Sequence, residues 1–273
     1  MREVLDRVPD AWTTDVEVLR LGGSAIEDHG DHLVVRSPHN PGFHWGNLVL
    51  VTDPQAVDRA DRWLEVFDEE FPDADHLAIG LPAEPKSGPW AAREAQVESE
   101  LVLSTPDPPM RQAAPFGYAV GAFRTDEDWA RAVQLDLDEP SPTGRTRDAS
   151  FRTYLERLAA TRAAMVQRGV AAFFGATEQA TGALVARLGI VLCGALDESA
   201  QLARFQHVGT RPEHRGRGLA GHLLAVAAEW AGVHGADRWE IHVDAGTPAH
   251  RLYSSLGFAP HGTLWQVTRE PEA

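Results

Sequence analysis

The stretch HVGTRPEHRGRGLAGHLL, residues 207–224, decides how this chain is read. The alternating run ARFQHVGT (203–210) leads into it as a strand. Beyond it, Leu219, Leu223, Val226 and Trp230 recur at three- and four-residue steps, so a helix is expected from Gly218 to about Val233. Between strand and helix stand Gly216 and Gly218, with Gly221 just after, and Arg211, His214, Arg215 and Arg217 crowd around them. A single glycine needs no more explanation than a turn. This cluster, however, lies in a chain of formal net charge -15, and it opens a helix whose free N–H groups carry about half a positive charge. Several charge-assisted hydrogen bonds of roughly 1.5 to 3 kcal/mol each would hold a diphosphate there without a metal.

The glycines at 216, 218 and 221 also fit the dinucleotide spacing G-x-G-x-x-G, and Asp244 closes the next strand near where a ribose-binding acid would stand. The context goes against that reading. The dinucleotide fingerprint puts its first glycine at the end of the strand, whereas Arg211 to Arg215 intervene here after Thr210. Only 29 residues follow Asp244, too few for the rest of a doubly wound sheet. A Rossmann-type dinucleotide oxidoreductase is therefore the second reading.

Working outward, GYAVGAFR (117–124) reads as a strand, and EDWARAVQL (127–135) and FRTYLERLAATRAAMVQR (151–168) as amphipathic helices. VAAFFGAT (170–177), GALVARLGIVLCGAL (182–196) and ARFQHVGT follow as three successive strands. After the glycine loop and its helix come strand RWEIHV (238–243), a helix from Pro248 to Leu256 and strand TLWQVT (263–268). The first half gives the same closing order, β-α-β-α-β, in shorter form. Its strands are DVEVLRL (15–21), HLVVRS (32–37), NLVLVT (47–52), HLAIGL (76–81) and ELVLST (100–105). Its helices run from Gln55 to Phe71, behind Asp53 and Pro54, and from Trp90 to Gln96. DADHLAI (73–79) matches GADRWEI (235–241), each just after the long helix, which indicates an internal duplication. Only the second copy has the glycine loop, so one cofactor per chain is expected. Breaks at SGP (87–89), TPDPPM (105–110) and DEPSPTG (138–144) punctuate the chain. With the middle one as linker, a module over 1–110 precedes a domain over 111–273, in an α/β class with a mixed (α+β) sheet.

With these elements in place, RGRGLA (215–220) resembles the R/Q-x-x-G-x-G/A loop of the GNAT superfamily of N-acetyltransferases, with Arg215, Gly218 and Ala220 on its defining positions. AHRLYSSLGF (249–258) resembles that family's A-x-x-L-Y-x-x-L-G-F segment, and the order of elements from Tyr118 to Val267 is similar to the family's as well. The first half resembles a shortened, degenerate copy, so the whole is similar to tandem GNAT proteins. The resemblance implies acetyl-CoA as acyl donor, direct acetyl transfer to an amine of a small molecule or peptide, and no metal. It places Val208, Gly209 and Thr210 along the pantetheine arm, and Arg215, Gly216, Arg217, Gly218, Leu219, Ala220 and Gly221 around the pyrophosphate. It makes Tyr253 the acid that protonates the leaving thiolate, and it puts His207 where some members carry a catalytic histidine. An asparagine that often contacts the cofactor is replaced here by Gly246. Two further alternatives stay open: an acyltransferase using another acyl-CoA, and a non-catalytic module that binds CoA.

The chemistry sets its own requirements. An alkylamine with a pKa near 10.4 is neutral to only about one part in 10³ at pH 7, a cost of roughly 4 to 5 kcal/mol, so a proton acceptor is expected. The carbonyl oxygen needs a donor, and a backbone N–H near Val208 can serve if the strand bulges there. His207 as base and His207 as an ordinary strand histidine stand level. Glu240 and His242 are lesser candidates, with Glu240 read as a solvated charge. Asp28, His29, Asp31 and His32 read as turn chemistry rather than a metal site, His44 and Trp45 as packing, and Cys193 as a small buried residue.

Composition bounds the rest. The excess of 40 Asp+Glu over 25 Lys+Arg disfavours nucleic acid and anionic membranes, and one cysteine cannot form an internal disulfide. No apolar run approaches the roughly 20 residues that span a bilayer, so a cytoplasmic location is expected.

Overall fold

The computed structural model describes residues 2–110, 113–138, 148–194 and 201–269. Its contacts gather into two compact units. One comprises the chain up to Val102 with Val243–Ala245 and the segment from Pro260 onward; the other comprises Leu103–His242 and Gly246–Ala259. The expected linker at 105–110 stands near the first of these junctions, but the chain does not divide at a single point.

In chain order the elements up to residue 105 are α1 (Arg2–Leu5), α2 (Thr13–Leu21), β1 (Ala25–Asp28), β2 (His32–Arg36), β3 (Leu48–Val51), α3 (Ala60–Glu70), β4 (Leu77–Leu81), α4 (Ser87–Ala91) and β5 (Gln96–Thr105). Then follow β6 (Tyr118–Ala122), α5 (Asp126–Asp138), α6 (Ala149–Gln167), β7 (Ala171–Glu178), β8 (Leu184–Cys193) and β9 (Leu202–Thr210). The chain continues through α7 (Leu219–Val233), β10 (Arg238–Val243), α8 (Pro248–Ser255) and β11 (Ala259–Arg269).

The first unit corrects the sequence reading in several places. Residues 15–21 are helical, not extended. The alternation Asp15-Val16-Glu17-Val18 imitates a strand, but the buried Val16 and Leu19 lie one helical turn apart. Arg20 grips the Glu17 carboxylate at the same helical spacing, at 2.6 and 2.7 Å. An unanticipated strand, β1, pairs antiparallel with β2 from Ala25↔Arg36 to Asp28↔Leu33. The expected helix over 55–71 is broken: the Asp53 side chain accepts from the Gln55 N–H, but Pro54–Ala56 form a 3-10 turn and α3 begins only at Ala60. The short helix lies earlier than expected, and Gln96 opens β5. Strand order is β1-β2-β3-β4-β11-β5. The last strand of the chain thus belongs to this sheet, with Trp265↔Leu81 through Arg269↔Leu77 antiparallel to β4. Trp12, Trp63, Phe67 and Trp90 fill the core beneath.

In the second unit the strand order is β10-β9-β8-β7-β6. The pairs from β6 to β9 are antiparallel, and only β9 and β10 run parallel. That antiparallel majority rules out the doubly wound sheet of the dinucleotide reading. β8 is buried along its whole length. A Cβ at Gly189 would come within 2.3 Å of the Phe173 ring, so the absence of a side chain there is what lets β7 and β8 pack under the helices. Asp148 caps α6 by accepting from the Phe151 N–H at 3.0 Å. The end of the expected strand at 195–196, and DEPSPTG beyond Asp138, lie outside the described residues.

Candidate active site

β8 and β9 run in register from Cys193↔Leu202 to Gly189↔Gln206 and resume at Arg187↔Gly209. Two steps on β8 therefore face three on β9, and the extra residue forms a bulge at His207–Val208. His207 takes φ 56°, a left-handed conformation rare outside glycine. On β9's other edge the parallel register with β10 stops at Arg204↔Glu240. His207 and Val208 thus fall in the interruption of the pairing with β8 and beyond the end of the register with β10. Strict alternation would also send His207 to the side of Phe205. The bulge resets the alternation, and His207 instead lines the same cleft as Arg187.

That cleft lies under α5 and α6. His207 Nε2 is 2.9 Å and 3.1 Å from the two carboxylate oxygens of Asp136, on α5. Asp136 is also ion-paired with Arg187, on β8, and their side chains are only 9% and 6% exposed. Arg162, on α6, places its guanidinium 5.5 Å from the Phe173 ring centroid. Phe123, Trp129, Val133 and Leu155 add apolar walls, and the space left inside suits about one water-sized group. Burial opposes ionisation of Asp136, but the His207 hydrogen bond and the charges of His207, Arg187 and Arg162 outweigh it and hold the carboxyl below its usual range. Burial, then the positive fields of Arg162 and Arg187, push His207 down to about 3, with Asp136 opposing only in part. The imidazole is neutral at physiological pH. Because a carboxylate only accepts, Nε2 carries the proton and Nδ1 the lone pair.

Asp136, Arg162 and Arg187 were not singled out by sequence reasoning. Arg187 carried a signal, being the one charge in the apolar run GALVARLGIVLC.

The glycine loop is built as expected at its helix end. Gly218 takes φ 80° as the N-cap of α7 and has no side chain with which to cap the first-turn N–H groups. Gly216 also has positive φ, and a Cβ there would meet nothing within 4 Å. The basic residues divide in their duties. Arg217 donates to the Tyr118 hydroxyl at 2.7 Å, which contacts His214 Nδ1 at 2.9 Å. Arg211 is paired with Asp138 at 2.6 Å. Arg215, exposed, donates through Nε to the Thr210 carbonyl at 3.0 Å. Three of the four basic residues thus brace the loop from β6 or tie it to α5, a role the sequence did not disclose. Gly246 N–H donates to His250 Nδ1 at 3.1 Å within a tight turn.

Tyr253, on α8, is 5% exposed. Burial raises its pKa to about 12, with Arg204 partly opposing, so the hydroxyl keeps its proton. Glu240 is not a solvated charge. It is 5% exposed, lies 3.8 Å from Arg204 Nε and meets His242 Nε2 at 3.2 Å, because the parallel register sets Glu240 directly beside Arg204. Elsewhere, Asp28 accepts from the Gly30 N–H at 2.8 Å, the turn chemistry expected of that segment. His44 stacks on His76 at 4.2 Å, and Cys193 is buried.

Residues 170–260, from the entry to β7 through α8, match the family model of the acetyltransferase (GNAT) domain. No curated protein matches the chain. Among solved structures, a GCN5-related N-acetyltransferase from Kribbella flavida is similar at a TM-score of 0.62 and 16% identity, over 96% of this chain and 95% of that one. A tandem GNAT protein from the clavulanic acid biosynthesis pathway gives 0.58 at 20% identity, over 100% and 96%. A functionally unknown conserved protein from Staphylococcus epidermidis gives 0.63 at 10% identity, over 90% and 93%. At these identities the likeness is one of fold. It extends over both units and is consistent with two GNAT-like halves.

Proposed function

We propose, from the premise that this chain carries a GNAT acetyltransferase domain and is an acyltransferase, that it transfers an acetyl group from acetyl-CoA directly to an amine of a small molecule or peptide. The observation that carries this reading is the bulge at His207–Val208 on the strand that feeds an uncapped helix N-terminus. One feature offers a backbone donor to an acyl oxygen, and the other offers a row of N–H groups to a pyrophosphate.

The residues fit the cofactor. Open space above Gly216 and the side-chain-free N-cap at Gly218 leave room for phosphate oxygens against the backbone from Arg215 to Gly221, with the exposed Arg215 beside them. Val208, Gly209 and Thr210 would line the pantetheine arm. Acetyl-CoA supplies the activated thioester when bound. The Val208 N–H would stabilise charge on the acyl oxygen. Tyr253, protonated up to about 12, would donate a hydrogen bond to the departing sulfur rather than surrender its proton outright, since a thiol is the stronger acid at about 8.5. His207, oriented by Asp136 with its lone pair on Nδ1, would accept a hydrogen bond from the neutral attacking amine and relay its proton to water rather than hold it, since the imidazole gains a proton only near 3.

Calorimetry with acetyl-CoA, CoA and NADH tests the cofactor, and tight NADH binding without CoA binding would reject this reading. Thiol release across a panel of amines tests catalysis and separates it from a module that only binds CoA; propionyl- and malonyl-CoA in the same assay test the acyl group. Tyr253→Phe should lower kcat at least tenfold at nearly unchanged acetyl-CoA affinity. Full turnover in that variant would remove Tyr253 from the mechanism.

A further inference from the structure

In the first unit, the β1–β2 turn and the end of α3 bring together three side chains that acyl transfer does not use. His29 stands in the turn, His32 opens β2 and Glu70 closes α3. A ring nitrogen from each histidine and a Glu70 carboxylate oxygen all lie within 4.8 Å of one another. Turn chemistry accounts for Asp28, which holds the Gly30 N–H, and for the bond from the His29 N–H to the His32 carbonyl at 3.0 Å. It does not account for the rings. The two imidazoles stack at 5.0 Å, and His32 is 7% exposed, with Nε2 making no hydrogen bond. Its Nδ1 is 2.8 Å from Asp31 Oδ1. A carboxylate only accepts, so in the neutral ring Nδ1 carries the proton and Nε2 the lone pair. That lone pair is buried with no donor to meet it, a cost that a bound cation would remove.

The surroundings are those of a metal ligand. A histidine that coordinates through one nitrogen usually donates its other N–H to a carboxylate, and Asp31 fills that role, itself held by Arg62. Arg36 orients Glu70 by donating to Oε2 and to the backbone carbonyl. Glu27 stands 3.6 Å from His29 Nε2 and pairs with Arg36 at 3.4 Å. The carboxylates of Glu27, Asp31 and Glu70 therefore outnumber the guanidinium groups of Arg36 and Arg62, and the cluster attracts a cation. An ion of this size needs no cavity. A tetrahedral zinc with bonds of about 2.0 to 2.2 Å holds its ligand atoms roughly 3.4 Å apart. The side chains of His29 and Glu70 are 35% and 24% exposed and can swing to that distance, while the buried His32 stays fixed.

We propose that His29, His32 and Glu70 bind a zinc ion, with solvent in the fourth position. Two imidazoles and one carboxylate suit Zn²⁺ rather than the all-oxygen shells of Mg²⁺ or Ca²⁺. The ion would clip the β1–β2 hairpin to the C-terminal end of α3. In the sequence the two histidines look like turn residues because the third ligand lies on a different element. The proposal is independent of the acyltransferase reading, and no step of acyl transfer is assigned to the metal.

The test is calorimetry of zinc sulfate titrated into the full-length, EDTA-treated protein at pH 7.5, where one tight site per chain is expected. His29→Ala and Glu70→Gln should each weaken binding at least tenfold. Asp31→Asn, which leaves all three ligands in place, should weaken it about tenfold through the orientation of His32. The first two substitutions fall on partly exposed side chains and should leave the fold intact, as circular dichroism will check. Co²⁺ in place of Zn²⁺ should give the visible absorption of a four-coordinate site, and His29→Ala should lose it. Absence of zinc binding in the wild-type protein, or affinity unchanged by His29→Ala and Glu70→Gln, would overturn the proposal. Binding lost in His44→Ala but kept in His29→Ala would overturn it as well, since the ion would then sit at the stacked pair His44 and His76.

Discussion

Replacing Asp136 by asparagine tests the architecture of the cleft most directly. The carboxylate faces Arg187 in an ion pair whose side chains are 9% and 6% exposed, and removing it leaves a cation buried without its partner. Breaking a buried pair from one side costs about 3 to 5 kcal/mol. Asparagine keeps an oxygen for the His207 N–H, worth about 1 kcal/mol, so the low end applies: about 3 kcal/mol, or roughly a hundredfold in the folded ratio. The measurement is urea denaturation at pH 7.5 followed by circular dichroism, with the transition of the second unit fitted separately from that of the first. Adding Arg187→Met to Asp136→Asn should recover part of the loss, since the double variant no longer buries that unpaired charge. The carboxyl is held below 3.8 in the fold, so its contribution is complete above that pH and disappears as pH falls through the folded value. A loss below about 1 kcal/mol, or strictly additive single variants, would refute the account of Asp136 as the anchor of a desolvated cluster.

His207→Gln should alter the pH dependence of stability. The unfolded ring binds a proton near 6.5 and the folded ring only near 3, so wild-type stability declines as pH drops below 6.5 and the variant lacks that contribution. The difference in Tm between wild type and variant should therefore shrink from pH 7.5 to 4.5; a constant difference argues against a suppressed imidazole. Gly218→Ala puts a methyl on a residue at φ 80°, at a cost of about 1 to 2 kcal/mol, while the methyl itself meets only Pro115 at 3.9 Å. Calorimetry should show CoA binding weakened about tenfold, and unchanged affinity would mean that the loop end of α7 does not hold the pyrophosphate. Tyr118→Phe removes the hydroxyl shared by Arg217 and His214, worth about 1 to 2 kcal/mol in loop order, and should raise the CoA Kd about five- to tenfold. An unaffected Kd would show that the brace from β6 is dispensable.

Much of the second unit was legible because its signals are local and reinforce one another. Gly218 must take a left-handed φ to start α7 without a capping side chain, and glycine at that point in the pattern announces it. The first unit was harder. A strand and an amphipathic helix can share a short apolar pattern, and Val16 and Val18 invited the wrong choice until the contact between Glu17 and Arg20 settled it. The cleft was illegible for a different reason. Asp136, Arg162, Arg187 and His207 come from four elements spread over more than seventy residues, and each alone reads as an ordinary helix or strand charge. Only the register of β7, β8 and β9 brings them under one pair of helices. β11 likewise carries a plain strand pattern in TLWQVT, and nothing local says that it pairs with β4.

The conformation of His207 links these parts. A non-glycine residue held at φ 56° stores strain of order 1 to 3 kcal/mol, which persists only where the surroundings over-determine it. Here Asp136 supplies that constraint by fixing Nε2, while Arg187 fixes Asp136. The same distortion has two outcomes: it turns the imidazole into the cleft with Arg162, and it interrupts the pairing with β8 at Val208, on the strand that leads to the glycine loop. An undistorted β9 would lose both, with the histidine returned to the side of Phe205 and the N–H back in register with β8. The buried ion pair is therefore better understood as holding the site's geometry than as stabilising the fold, which is the role for which desolvated pairs are poorly suited. On that reasoning the placement of His207 and the acyl-oxygen donor proposed at Val208 depend on one bulge, and a change that straightens it should lower the rate of transfer.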